Sequence, residues 1–71
     1  MVEIGKFYRH YKGNLYKVID IAQHTETGEL LVIYTDNKYH WARPLEMFED
    51  KVNVNGELVD RFKLEKNVWD N

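Results

Sequence analysis

The chain has 71 residues, of which 44% are hydrophobic and 14% aromatic, with a formal net charge of −2 and no cysteine. That length makes one domain, which buries only roughly 60% of the surface its unfolded chain exposes, and the lack of cysteine excludes disulfide staples, zinc knuckles and thiol nucleophiles. No basic start followed by an apolar run opens the chain, and no stretch of about 18 apolar residues occurs, so the expectation is a cytoplasmic, soluble protein without a membrane partner.

The elements follow in chain order as short β-compatible runs cut by turn residues. Lys6 to Tyr11 alternates as a first strand, and Lys12-Gly13-Asn14 turns it. Leu15 to His24 is a long second strand. Its apolar residues start on the face of Tyr16 and Val18, then shift to Ile19 and Ile21, and strict alternation would bury Asp20. A bulge near Ile19-Asp20 resolves that conflict and bends the sheet.

Thr25 to Gly28 reads as a four-residue hairpin connection. Leu30 to Tyr34, within a strand over Glu29 to Thr35, is apolar at consecutive positions, as a central strand requires. Asp36-Asn37-Lys38 turns the chain into Tyr39 to Arg43, which Pro44 stops because it lacks an N–H. Leu45 to Asp50 holds one helical turn, of α or 3₁₀ type. Asn55-Gly56 is the strongest hairpin signal, with Val52 and Val54 expected to pair with Leu58, Val59 and Phe62.

These elements predict an all-β fold: a small SH3-like barrel of five or six antiparallel strands with one short helical or 3₁₀ turn, an OB-type barrel being the alternative. Residues 1–71 form a single domain with its core over about 5–63. Segment 64–71, with Leu64, Val68 and Trp69, is expected to dock loosely or fray.

Several stretches together carry a family resemblance: Gly5 with YRHYKGNLYKV (8–18), IAQHTETGELLVIY (21–34), WARPLEMF (41–48) and the late Arg61-Phe62 pair. The chain resembles a bacterial family of unknown function built on a small SH3-like barrel. The resemblance implies a fold and a bacterial or phage setting, and no activity, substrate or catalytic residue. Set against that family's pattern the Asp36-Asn37-Lys38 connection looks shorter, which would leave any pocket there more open.

Chemistry is sparse. The three histidines, His10, His24 and His40, have no metal-ligand spacing, so no metal or cofactor is expected. Serine is absent as well as cysteine, which removes the commonest nucleophiles. A His24–Glu26 acid–base pair around the HTETGE turn would make a small hydrolase or ligand-modifying enzyme, the alternative to the leading expectation of a non-enzymatic binding module. That module would use an aromatic and basic surface of Tyr8, His10, His24, Glu26, Trp41 and Arg43. Tyr8 and Trp41 read as core or as stacking platform, and Arg43 as ligand contact or as the partner of a carboxylate such as Glu29.

A peptide or protein partner is favoured over nucleic acid. The net charge does not support broad phosphate binding, although residues 1–24 carry four basic against two acidic residues and the remainder six against ten. An exposed strand edge would also allow a homodimer.

Overall fold

The computed structural model describes residues 1–66. The strands are β1 (Phe7–His10), β2 (Leu15–Gln23), β3 (Leu30–Thr35), β4 (His40–Pro44), β5 (Lys51–Val54), β6 (Glu57–Asp60) and β7 (Phe62–Leu64), with one helical turn, α1 (Leu45–Phe48). Five strands form an antiparallel sheet in the order β4-β3-β2-β1-β7, and β5 and β6 make a separate hairpin. The fold is all-β, as expected, with seven strands among the described residues in place of five or six.

Local chemistry accounts for the connections. Gly13 takes φ +111 in the first turn, where its N–H bonds the His10 carbonyl at 2.7 Å. Asn55 and Gly56 have φ values of 53 and 85, the pair of positive angles that a type I′ hairpin demands. The ladder of β2 with β3 slips between Val18 and Asp20, so Ile19 is the extra residue of a bulge. Asp20 then faces outward and caps the backbone N–H of Ile21 at 2.7 Å, while Ile21 turns in to pack against the core. The bulge thus removes the conflict that strict alternation would create.

One face of the sheet carries the interior. Val18 and Val32 are fully buried, ringed by Tyr8, Tyr34 and Phe62, and Phe48 of α1 closes over them. Phe48 lies flat on Phe62, ring centres 4.0 Å apart and planes within 1°, and meets Tyr8 and Tyr34 edge-on at 5.4 and 5.5 Å. Val2 from the N-terminal segment completes the cluster.

The pairing of Phe62 differs from the sequence expectation. Val52 pairs with Val59 and Val54 with Glu57, but Phe62 is not part of that hairpin. It begins β7, opposite His10 of β1. A bend at Arg61, whose N–H bonds the Asp50 carbonyl at 3.0 Å, separates the two ladders and lets Phe62 reach the sheet. Leu64 ends β7 and packs against the core, whereas Val68 and Trp69, the rest of the segment expected to dock loosely or fray, fall outside the described residues.

Because Phe48 is 1% exposed and ties α1 to three rings, Phe48→Ala should destabilise the domain by about 3–5 kcal/mol. Leu58→Ala, at a side chain 65% exposed, should stay within about 0.5 kcal/mol. Urea unfolding of the two variants checks both, and similar losses would contradict this placement of the core.

Candidate functional site

The face that holds the core does not end where the core ends. Toward the end of the sheet formed by the start of β2 and of β4, the rings continue outward and become exposed. Trp41 sits opposite Tyr34 in the β3–β4 ladder, 5.9 Å from it, and 5.6 Å from Tyr16 of β2. Tyr16 in turn lies 6.5 Å from His10, and His10 lies 4.6 Å from Tyr11. Tyr39 extends the row beyond Trp41 at 5.9 Å. Five rings therefore run from just before β4 across β2 to just past β1, with Trp41 38% and Tyr39 65% exposed.

The turn before β4 fixes one end of this row. Asn37 adopts φ 79, and the Asp36 carboxylate accepts the backbone N–H groups of Lys38 and Tyr39 at 2.9 and 3.0 Å. Those bonds hold the Asp36 carboxyl below the usual carboxylate range. The hydroxyl of Thr35, a buried side chain, donates to the Tyr39 carbonyl at 2.7 Å and accepts from the Asn37 N–H at 3.0 Å.

Cations gather beside the rings. Arg43 shares a sheet face with Trp41, donates from Nε to the Tyr34 hydroxyl at 3.2 Å, and places its guanidinium 5.8 Å from the Phe62 ring centre. This replaces the expected Glu29 pairing, because the alternation of β4 turns Arg43 toward the rings. Arg61 occupies the bend before β7, and its Nε is buried without a hydrogen-bond partner. Among the described residues, neither arginine has a carboxylate within ion-pairing distance.

His10 lies between these groups. Its Nδ1 accepts the Lys12 backbone N–H at 3.2 Å, which puts the proton of the neutral ring on Nε2. Burial lowers its pKa below 6.5, and the positive charges of Arg43, Lys12 and Arg61 lower it further. The free arginine N–H groups and Nε2–H make the site rich in donors, and what such a set lacks is an acceptor.

The remaining candidates separate. Tyr8 shares the strand face of His10 but is only 7% exposed, with its hydroxyl accepting the Glu3 N–H at 2.9 Å, so it is a core residue and offers no stacking surface. His24 and Glu26 lie at the opposite end of β2, on the order of 25 Å from Tyr16 at about 3.3 Å per residue. There the Nδ1 of His24 accepts the backbone N–H groups of Glu26 and Thr27 at 3.1 and 3.3 Å. The two residues meet through the Glu26 backbone, not its carboxylate, and His24 caps its own turn. His40 is exposed near the start of β4, and no group of three His, Asp or Glu residues suited to a metal occurs among the described residues.

A groove of about 680 Å³ lies between the β5–β6 hairpin and the sheet and is bordered by His10 and Tyr11, and two of its cations are already paired. Arg9 there binds Glu65 at 3.1 Å, and Lys51 binds Asp60 at 2.6 Å. Sequence reasoning missed Tyr16 and Arg61 as site residues. Strand alternation assigns Tyr16 only a face, and the Arg61-Phe62 pair enters only through the family resemblance.

The depressed pKa of His10 has a consequence for stability. The unfolded chain protonates this imidazole more readily than the folded one, so its contribution is complete above about pH 6.5 and declines as pH falls through the lower folded value. Urea unfolding between pH 7.5 and 5 should show wild type losing more stability over this interval than His10→Gln. Identical pH profiles would contradict the charge arrangement.

Comparison with known proteins agrees with the fold. The chain superposes on a crystal structure of a DUF1653 protein from Bordetella bronchiseptica with a TM-score of 0.80 at 27% identity, covering 97% of this chain and 95% of that one. A search of curated proteins returns no match. No helix among the described residues is long and apolar enough to cross a membrane. The profile of a family described as protein of unknown function (DUF1653) matches residues 6–64, and the chain belongs to that family.

Proposed function

We propose that this domain is a small SH3-like binding module that takes an anionic ligand on the open end of its sheet face, with Arg43, Arg61 and His10 receiving the anion and Trp41 and Tyr16 stacking against the ligand's planar part. The observation that carries this reading is the buried, unpartnered Nε of Arg61 together with a second arginine, Arg43, that also lacks a carboxylate, both near enough to His10 to lower its pKa. An unsatisfied buried donor costs about 1–3 kcal/mol. The Nε itself is shielded from solvent, so an incoming carboxylate or phosphate oxygen would meet the remaining N–H groups of the same guanidinium, which donate in a planar fork suited to such oxygens.

Two further features support the reading. Tyr34 holds the Nε of Arg43, so less freedom is lost when an anion arrives. His10 adds a neutral donor near pH 7 and a charged one at lower pH, so anion affinity should rise as pH falls below 6.5.

The test is a ¹⁵N NMR titration with two probes, a short glutamate-rich peptide and adenosine monophosphate. At least one should shift the Trp41 indole N–H together with the Nε–H signals of Arg43 and Arg61. Arg43→Ala should weaken that probe about tenfold to a hundredfold, given that hydrogen bonds to charged groups contribute about 1.5–3 kcal/mol. Shifts confined to the His24–Glu26 turn, or none with either probe, would refute the proposed site.

A further inference from the structure

Resting on the same site, we infer that the ligand is single-stranded nucleic acid, with its phosphates on Arg43, Arg61 and Lys12 and its bases on the ring row from Tyr39 through Trp41 toward Tyr11. An acidic peptide would satisfy the arginines but would leave the rings unused. Here cations flank the ring row at two points: Arg43 stands on the strand face of Trp41, and Lys12 lies 5.9 Å from the centre of the Tyr11 ring. A polymer that carries an anion and a flat π-face on every unit suits a ring row with cations beside it, and single-strand binders pair a basic track with aromatic platforms.

The relief of the site points the same way. Peptide readers that add a strand fix alternate side chains in pockets, whereas Trp41 on β4 and Tyr39 just before it are exposed ring surfaces. Such surfaces accept any base, provided it is unpaired, because a duplex hides its base faces. The chain's net charge of −2 does not oppose a local site. Much of its acid lies elsewhere: Glu26 and Glu29 flank the distal turn, Glu46 and Glu49 lie at α1, and Glu57 is in the β5–β6 hairpin.

The test is fluorescence anisotropy with a labelled ten-nucleotide mixed-sequence single strand, its duplex, and a labelled glutamate-rich peptide, each over a range of salt. The single strand should bind best. Its log affinity should fall against log salt with a slope near −2, since each of three phosphates contributes about −0.7, and Arg43→Ala should bring the slope up by about 0.7. Trp41→Ala should weaken the single strand about tenfold to a hundredfold. Tyr39→Ala, at a far more exposed ring, should weaken it as well and covers the case in which loss of Trp41 disturbs folding. Equal or tighter binding of the duplex overturns the inference. So does Arg43-dependent binding of the peptide with none of the single strand, a result that leaves the anion site standing. Failure of all three probes removes both.

Discussion

The flat contact between Phe48 and Phe62 is the interaction on which the rest of this domain depends. It joins α1 to β7, and each partner reaches its position by a different constraint. Phe48 is delivered by the stop at Pro44 and the single turn of α1, and Phe62 by the bend at Arg61 that ends the β5–β6 hairpin. With no disulfide available and only 71 residues, rings that bury about 150–250 Å² each are the most economical way to close a sheet face.

The same economy explains why the candidate site adjoins the core. Tyr34 touches Phe48 and Phe62 on one side and Trp41 and Tyr16 on the other, so one continuous aromatic surface is buried at its centre and open at its end. Arg43 is anchored to the Tyr34 hydroxyl, which ties the basic group to the packed interior. Positioning of this kind needs no dedicated pocket, because residues that hold the fold also hold the side chains that would meet a ligand.

What the sequence made legible was local. Asn55-Gly56 identifies its hairpin because positive φ at two successive residues suits few other pairs, and Asp20 betrays the bulge because its burial would be prohibitive. The pairing of Phe62 was hidden, since its partner His10 lies across the whole chain and nothing near Phe62 names it. Tyr8 and His10 sit two apart on one strand face, yet one is core and the other rim, a difference set by where α1 covers the sheet. HTETGE looked reactive because a histidine and two carboxylates crowd one loop, but that imidazole is occupied by its own turn. Arg61 carried no sequence signal of a site: a lone arginine at a bend acquires meaning only when folding buries its Nε.

The central claim is that the two arginines are kept for a ligand and not for the fold. The most direct measurement is the urea-unfolding free energy of Arg61→Met, which keeps much of the side-chain volume and removes the unsatisfied donor. The account predicts stability equal to or above that of wild type, since the buried Nε costs the free protein about 1–3 kcal/mol. A loss of more than about 1 kcal/mol would show that Arg61 already has its partners within the domain, and would contradict the claim.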